Sequence, residues 1–593
     1  EFKRPWGEIL CAAAHLEDHL NHLSVHCGGV VIVPDEIRRY CPVEISASGV
    51  QVLQWEKDSV EDGGLVKIDL LGNRSLAVIR DALELVARNY GRRIDYGEWN
   101  PVNDPRTVET FYRGDTVGVF YFESPATRQV LKKLQSVFTL GEYLRQDHFH
   151  LNVVVTSIIR PASNDNIHTW ISRLKGQPWD YPHPLLEPVL KETLGVMVFQ
   201  EQLSQAAIHL AGFDAAEADT LRKVVSKKDR EKRLRDFYSR FARGARERGV
   251  APRVIEEVWR MIMGFDGYSF CKPHSASYTL VAYKSAYLRA HYPAEFMASV
   301  ISNGGGFYST FGYLSEAKRM GLQVLPPDIN RSEIKYTGRD KYIRVGLMQL
   351  KDMSCEAREA IIHEREKRGA FKSLEEFLSR TASHIRLQDV RVLIKAGCFD
   401  GIASGVSRSA LVWQALGFFS KKEGPKTFDL FSASHGNVSA KSHAPYPRKL
   451  MLRNEMETLG FLLSIHPLDR YKGRLRGLKY VKASELASHV GERVTTIGWM
   501  VTGKTVHTKE GDPMRFVSFE DTTGLYETVF FPGAYHRFCH MLSGSRPYVL
   551  KGQVQEEFGA ITLTVHWIGF LDRYETFEKP TLGTATLLPH PKT

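Results

Sequence analysis

The spacing of apolar residues changes twice along this 593-residue chain. Short β-branched runs bounded by glycine come first, at 29–33 and 64–70. Apolar residues then recur at helical spacing from about 75 to 300. Alternation of apolar and polar residues returns in five runs between 478 and 572. Because helices follow a period of 3.6 residues and strands a period of two, the sequence predicts an α+β protein of several domains.

The helical part begins after Ser75, which is expected to cap a helix over 76–90. Residues 418–450 are rich in Lys, Ser, Gly, His and Pro without periodicity, so they are predicted to form a linker. The five alternating runs suit a small barrel of the OB type, a class that commonly binds single strands. Further helices are predicted over 125–135, 199–211, 215–248, 254–263, 274–303, 356–367 and 388–396.

The amino-acid composition excludes several classes of protein. Hydrophobic residues make up 43% and charged residues 25% of the chain, which excludes a largely disordered protein. Seven cysteines without a CxxC pair indicate reduced thiols rather than a zinc ribbon or a disulfide scaffold. No apolar run approaches the roughly 18 residues of a membrane span, so a cytoplasmic protein without a membrane partner is predicted. The opening residues, Glu1 to Pro5, include no Met, and the chain is expected to begin within a longer gene product.

The net charge of +11 is concentrated in one stretch. Residues 221–250 hold twelve Lys or Arg and four acidic residues, a local balance of +8. A polyanionic partner is one explanation of such a stretch. A solvated basic helix face without a binding role is the other.

Lys67 and Asp69 lie two residues apart in a predicted strand, which places both side chains on one face. This arrangement would suit a site in which the carboxylate of Asp69 holds a divalent cation and the ammonium group of Lys67 holds a phosphate beside it. A plain surface ion pair is the commoner meaning of such a pattern.

Two later segments carry residues suited to binding a nucleotide. At helical pitch Arg222 or Lys223 stacks with Lys227, which forms a cationic stripe able to meet a triphosphate. Lys272 and His274, with Tyr268 before them, lie in a loop that enters a helix, where backbone N–H groups face outward. Aromatic residues that only pack at a helix start are the alternative.

Together these segments resemble the C-family replicative polymerases, the bacterial DNA polymerase III alpha subunits. The resemblance runs in order over nearly the whole chain, from the thumb end to the barrel. Its most recognisable segments are 22–30, 65–69, 120–124, 158–161, 200–202, 272–276, 325–330 and 521–524.

The resemblance implies template-directed nucleotidyl transfer to a primer, with two Mg²⁺ ions as cofactors. Asp69 matches the third palm aspartate, a catalytic metal ligand, and Lys67 matches the lysine beside it. Arg222 and Lys223 match the basic pair that holds the incoming triphosphate. Tyr268 and His274 match positions of the finger loop beside the nucleotide.

One departure from the family pattern bears on activity. The first two palm aspartates of the family lie in an Asp-x-Asp strand upstream of the point where this sequence starts, and the sequence contains no Asp-x-Asp. One carboxylate does not hold two ions. This 593-residue chain is therefore expected to be inactive alone.

Two further elements follow from the resemblance. Lys351 and Arg358 would contact phosphates from a helix-hairpin-helix, although a purely structural hairpin stays open because 352–354 lacks the usual glycines. Thr427, Leu430 and Phe431 belong to a segment that resembles a sliding-clamp peptide, which normally opens with Gln.

The expected partners are primer–template DNA, deoxynucleoside triphosphates, a sliding clamp and other replicase subunits. A non-catalytic DNA-binding scaffold that recruits polymerase to the clamp is the first alternative, and an RNA-directed module that uses the barrel is the second. The resemblance divides the chain into the end of a thumb (1–25), the C-terminal part of a mixed-sheet palm (26–75), mainly helical fingers (76–330), a helix-hairpin-helix region (331–417), a linker (418–475), an OB-fold domain (476–575) and a tail (576–593).

Overall fold

The computed structural model divides the chain into two compact units, unit 1 at Glu1–Arg74 and unit 2 at Ser75–Thr593. It describes residues 4–17, 19, 25–26, 28–46, 49–70, 72–159, 164–225, 231–264, 271–403, 405–423, 444–508, 510–542 and 546–574.

Unit 1 is built from two small antiparallel sheets of two strands each. The strands β1 and β4 pair so that Gly29 lies opposite Asp69 and Val31 lies opposite Lys67. Both strands fall within the apolar runs at 29–33 and 64–70, so strands form where they are predicted but are shorter than the runs. The elements are α1 (Trp6–Ala14), β1 (Gly29–Val31), β2 (Val43–Ile45), β3 (Gln51–Leu53), α2 (Lys57–Asp62) and β4 (Lys67–Asp69).

The first part of unit 2 is helical, as the period of the sequence predicts. Its buried core includes Phe111, Phe122 and Tyr283, which are fully enclosed. The helices are α3 (Arg74–Tyr90), α4 (Pro105–Arg113), α5 (Pro125–Leu134), α6 (Leu140–Arg145), α7 (His148–Ile158), α8 (Asn164–Leu174), α9 (Glu187–Leu190), α10 (Gln200–Ala211), α11 (Ala215–Val225), α12 (Glu231–Glu247), α13 (Pro252–Met263), α14 (Lys272–His291), α15 (Pro293–Ser302) and α16 (Thr310–Arg319).

Three details differ from the sequence prediction. Helix α3 begins at Arg74, so Ser75 lies inside its first turn and is not the N-cap. The predicted helix over 215–248 corresponds to α11 and α12, between which 226–230 lie outside the described residues. The predicted helix over 274–303 is broken at Tyr292, because Pro293 has no N–H to donate and its ring excludes a continuous helix.

A three-stranded sheet and a second group of helices follow. Helices α20 and α21 enter the interval predicted as a linker at both ends. Phe418 and Phe419 of α20 pack against the core of this part of unit 2 and Leu459 of α21 is buried in it, so tertiary packing orders segments that have no local signal. The elements are β5 (Gln323–Leu325), β6 (Thr337–Arg339), β7 (Tyr342–Arg344), α17 (Cys355–Arg368), α18 (Leu374–Thr381), α19 (Leu387–Ala396), α20 (Arg408–Glu423), α21 (Arg448–Leu459) and α22 (Lys472–Leu475).

The last part of unit 2 is a closed five-stranded barrel in the order β10-β12-β11-β8-β9. Strands β10 and β12 are parallel, and the other neighbours, including the closing pair β9 and β10, are antiparallel. Each of the five predicted alternating runs lies within one barrel strand, apart from terminal residues of the runs, so the OB-type prediction is confirmed at the level of architecture. The elements are β8 (Arg493–His507), β9 (Pro513–Glu520), β10 (Leu525–Phe530), α23 (Pro532–Phe538), β11 (Pro547–Glu557) and β12 (Ala560–Phe570).

Ionic contacts join the barrel to the helical part of unit 2. Lys133 Nζ lies 2.7 Å from Glu557 Oε2, and Arg319 Nη1 lies 3.0 Å from Glu520 Oε2. The side chains of Lys133 and Glu520 are almost fully buried, so each ion pair has one partner shielded from water. No described helix is both long enough and apolar enough to cross a membrane.

Candidate functional site

Strand β4 presents Lys67 and Asp69 on one face, as their spacing predicts. Lys67 Nζ lies 3.0 Å from Asp69 Oδ1 and 3.1 Å from Oδ2, so the ammonium group spans both carboxylate oxygens. The Asp69 side chain is 43% exposed and Lys67 is 21% exposed. The carboxylate is therefore held in one orientation while one side of it stays open to a ligand.

His26 adds a second neighbour to Asp69. Backbone N–H groups of Gly28 and Gly29 donate to His26 Nδ1 at 3.1 and 2.6 Å, and His26 Nε2 lies 3.9 Å from Asp69 Oδ1. Because Nδ1 accepts, a neutral His26 carries its proton on Nε2, on the side of Asp69. A Cβ at Gly29 would lie 2.8 Å from His26 Nδ1, so the glycine allows this close approach.

The described residues of unit 1 do not fit a two-ion metal site by themselves. Asp69 is a single carboxylate and is already paired with a cation. Across all the residues that the structure describes, no group of three or more His, Cys, Asp or Glu side chains is placed to hold a metal ion.

In unit 2, Arg222 and Lys223 lie in the last turn of α11 and share one carboxylate. Arg222 Nη2 lies 2.8 Å from Asp219 Oδ1, and Lys223 Nζ lies 2.8 Å from Asp219 Oδ2. Hydrogen bonds from Lys223 and Arg222 hold the pKa of Asp219 below its usual value. Arg222 Nη1 also donates to Gln200 Oε1 at 2.9 Å. The guanidinium is thus pre-oriented, while Lys223 remains 64% exposed.

The start of α14 approaches the same end of α10. Lys272 donates its backbone N–H to Glu201 Oε2 at 3.0 Å, so Glu201 caps a helix that lacks a side-chain cap of its own. The Lys272 ammonium pairs with Glu192. Gln200 and Glu201 are consecutive residues, so Arg222 and the start of α14 both contact the first turn of α10.

His274 lies one turn from Tyr278, and their ring centroids are 3.9 Å apart. The Tyr278 ring also lies 4.9 Å from Phe120 and 5.4 Å from Tyr121, which has a positive φ of 64°. Segments 120–124 and 272–276, separated by about 150 residues, therefore meet in one aromatic cluster. The other predicted residues of this site, Lys227 and Tyr268, lie outside the described residues.

The structure assigns structural contacts to several residues that sequence reasoning left without a role. Gln202 is buried and accepts from the N–H groups of Val198 and Phe199, which fixes the start of α10. Asp219, Gln200, Glu201 and Tyr278 orient the predicted cations and rings. The Gln-Glu-Gln run at 200–202 was the available signal, but its partners are distant in sequence.

The basic stretch at 221–250 does not form one uniform binding face. Arg240 of α12 pairs with Glu217, and Arg248, just after α12, donates from Nη1 to the carbonyls of Ile208 and His209 at the end of α10. Arg235, Arg243 and Arg246 are exposed. Part of the local charge excess therefore stabilises the fold, and only part is available to a polyanion.

The predicted hairpin contacts lie elsewhere in unit 2. Asp352 takes a positive φ of 60°, a backbone conformation that a hairpin glycine would adopt at lower cost. Arg358 Nη2 donates to the Leu350 carbonyl at 2.9 Å, so its guanidinium braces the hairpin. Lys351 is exposed. Thr427, Leu430 and Phe431, the predicted clamp-binding residues, lie outside the described residues.

Comparison with known families assigns three segments. Residues 3–72 match the model described as bacterial DNA polymerase III alpha NTPase domain, and residues 75–249 match the bacterial DNA polymerase III alpha subunit finger domain. Residues 321–411 match a helix-hairpin-helix motif.

Curated relatives extend the similarity over almost the whole chain. DNA polymerase III subunit alpha of Aquifex aeolicus (strain VF5) is 33% identical over 564 residues, which cover 93% of this chain and 46% of the relative. The protein of the same description from Thermus aquaticus is 33% identical, covering 93% of this chain and 45% of the relative. The protein of the same description from Staphylococcus aureus (strain MSSA476) is 31% identical, and the match covers 96% of this chain and 52% of the relative. The chain spans about half the length of the curated relatives that it matches.

Proposed function

We propose that this chain, which belongs to the family of bacterial DNA polymerase III alpha subunits, takes part in template-directed DNA synthesis. The reaction is the transfer of a deoxynucleotide to the 3′-hydroxyl of a primer. The observation that carries the proposal is a set of cations near the start of α10: Arg222 donates to Gln200, Lys223 shares Asp219 with Arg222, and Lys272 Nζ lies 5.8 Å from the ring centroid of Phe199.

The geometry of that group suits a triphosphate. Asp219 holds both Arg222 and Lys223, so an incoming phosphate oxygen would replace one carboxylate contact without a large movement of either side chain. The ring pair of His274 and Tyr278 begins in the first turn of α14 and offers an aromatic surface to a base. Lys227 and Tyr268 are proposed as further nucleotide contacts on the family pattern alone.

The cofactor that we propose is Mg²⁺. Asp69 is the carboxylate that this chain would contribute, and Lys67 would hold a phosphate oxygen beside it. The remaining ligands of a two-ion site are not among the described residues, and the chain is proposed to be inactive alone.

Primer–template DNA and other replicase subunits are the proposed partners, in the cytoplasm. Exposed Lys351 would contact a backbone phosphate, and Arg358 would contribute less because the Leu350 carbonyl already engages it. Thr427, Leu430 and Phe431 remain the proposed contacts to a sliding clamp.

A primer-extension assay tests the proposed reaction. The chain is assayed alone and fused behind the amino-terminal half of the Aquifex aeolicus relative, with the intact relative as the positive control. Extension by the fusion and none by the chain alone is the expected result. A fusion that folds and binds primer–template yet does not extend it would favour a non-catalytic DNA-binding scaffold.

Reversal of charge at Arg222 and Lys223 is expected to weaken nucleotide binding at least tenfold, because two charge-assisted contacts to phosphate are lost. Binding of duplex DNA is expected to change less than threefold. Both affinities are measured by titration of the R222E/K223E variant, with Arg253→Glu, an exposed arginine of α13, as the control. A loss of duplex affinity with unchanged nucleotide affinity would show that α11 contacts the DNA backbone instead.

A further inference from the structure

A cavity of about 290 Å³ lies on the three-stranded sheet β5–β7–β6, far along the chain from the proposed triphosphate contacts on α11. In this sheet Arg344 lies opposite Thr337, and Tyr342 lies opposite Arg339. Because side chains alternate along a strand, these four share one face. That face forms the floor of the cavity, and Arg88 and Asn89 at the end of α3 form a wall.

The opposite face of the sheet is closed by helix α15. A Cβ at Gly338 would lie 2.0 Å from the Ala294 carbonyl oxygen, so only glycine permits this contact between strand and helix. Asn89 Nδ2 donates to the Gly338 carbonyl and to Glu295 Oε1, both at 2.8 Å. The backbone of the cavity floor is therefore held firmly from behind.

The turn beside the cavity is fixed as well. Asp340 takes a positive φ of 53° at the tip of the β6–β7 hairpin, and its N–H donates to Tyr90 Oη at 3.1 Å. Contacts from α3 thus anchor the floor and the tip of the hairpin. The cavity does not need to form around a ligand, which lowers the entropic cost of binding.

Three guanidinium groups line this cavity, and they differ in their partners. Arg88 Nη1 lies 2.8 Å from Glu333 Oε1, and Arg339 Nε lies 3.7 Å from Asp340 Oδ2, with all four side chains at least 44% exposed. Arg344 Nη1 donates to the Pro326 carbonyl at 3.0 Å, and it forms no ion pair with a carboxylate of the described residues.

Burial lowers the pKa of Arg344. The negative charge of Asp328 raises this pKa by less, and the positive charge of Arg331 lowers it further. A guanidinium stays charged at neutral pH despite such a shift. Arg344 is therefore a partly buried cation whose charge the described residues do not neutralise. An anion in the cavity would neutralise Arg344. The same anion would also contact Arg88 and Arg339, which keep their exposed carboxylate partners Glu333 and Asp340.

Tyr342 supplies an aromatic surface beside these cations. Its side chain is 39% exposed, and Lys341 Nζ lies 5.7 Å from the ring centroid. The combination of a flat ring with guanidinium groups suits a molecule that carries both phosphates and a base.

We infer that this cavity binds the polyphosphate group of a free nucleotide, at a site separate from the proposed triphosphate contacts on α11. A polyphosphate carries several charges on adjacent groups, which suits three guanidinium groups that line one cavity better than the singly charged, widely spaced phosphates of a DNA backbone do. The inference does not depend on polymerase activity.

Calorimetric titration of the full chain with pyrophosphate and with dATP tests the inference. The background is the R222Q/K223Q variant, so that the proposed α11 contacts do not contribute. Both probes are expected to bind this background, dATP more tightly because of Tyr342. Arg344→Gln is expected to weaken both at least tenfold, and Arg391→Gln, which removes an exposed charge on α19, less than twofold.

Arg339→Gln serves as a second variant, because its side chain is 68% exposed and its loss leaves the fold intact. It is expected to weaken pyrophosphate binding at least threefold. Unchanged binding of both probes by Arg344→Gln and Arg339→Gln would overturn the inference. An oligonucleotide without terminal phosphate that displaces pyrophosphate and loses affinity in Arg344→Gln would also overturn it, in favour of a strand-binding surface.

Discussion

Replacement of Asp69 by asparagine is expected to lower primer extension by about 10²–10³-fold in the fusion of this chain with the amino-terminal half of a relative. Asparagine keeps the shape of the side chain and removes its charge. The reason for the loss is that Asp69 is the one carboxylate that β4 holds in a fixed, partly open position, between Lys67 and His26. Single-turnover extension of a labelled primer measures the effect.

Asp62→Asn is the matched control, because Asp62 is an exposed acid at the end of α2 in the same unit. It is expected to retain the parental rate within about twofold. If Asp69→Asn retained that rate as well, the Lys67–Asp69 pair would be the surface ion pair that the sequence also allows, and the proposed catalytic role would be wrong. Binding of primer–template by both variants is measured to confirm that they fold.

Replacement of Arg289 by glutamine is expected to destabilise unit 2 by about 3–5 kcal/mol. The side chain of Arg289 is 5% exposed, and its Nη2 lies 2.5 Å from Glu316 Oε1. It also donates to the carbonyls of Asp115 and Val117, so the change removes several contacts and leaves a buried carboxylate with less compensation. Urea unfolding followed by circular dichroism measures the loss.

Arg453→Gln is the control for this prediction. Arg453 pairs with Glu457 on the surface of α21 and is 75% exposed, so its loss is expected to cost less than about 1 kcal/mol. Equal effects of the two substitutions would contradict the role assigned to the buried pair.

The same buried pair predicts how stability depends on pH. Burial alone would raise the pKa of Glu316, but Arg289, Arg319 and Arg128 outweigh it and lower the pKa to about 2. The folded value lies below the unfolded value of about 4.3, so the stabilisation is present above that pH and is lost as pH falls toward 2. Glu316→Gln is expected to flatten the acid limb of the stability curve over this interval.

The local pattern of the sequence predicts the elements better than their ends. The five alternating runs predict the barrel strands because a period of two is a property of each strand alone. The pattern predicts one helix across the boundary between α14 and α15, although Pro293 is visible in the sequence. It also predicts a linker where α20 ends and α21 begins, because the order of these segments comes from the packing of Phe418, Phe419 and Leu459 rather than from periodicity.

For the candidate site, too, the sequence predicts some features and not others. The positions of Arg222, Lys223, Lys272 and His274 follow from the sequence, because they lie at or near one end of a recognisable helix. Their partners do not. Glu201 meets Lys272 across 71 residues, and Phe120 meets Tyr278 across about 160, distances over which spacing carries no information.

By itself the sequence indicated the family resemblance, the order of helical and barrel parts and the location of the excess positive charge. Only the tertiary structure decided which of those charges are already engaged. Arg248 caps the end of α10 and Arg240 pairs with Glu217, whereas Lys223 is 64% exposed beside Asp219. The physical reason is that charge and periodicity are properties of the local chain, while the cost of a charge depends on burial and on partners brought near by folding.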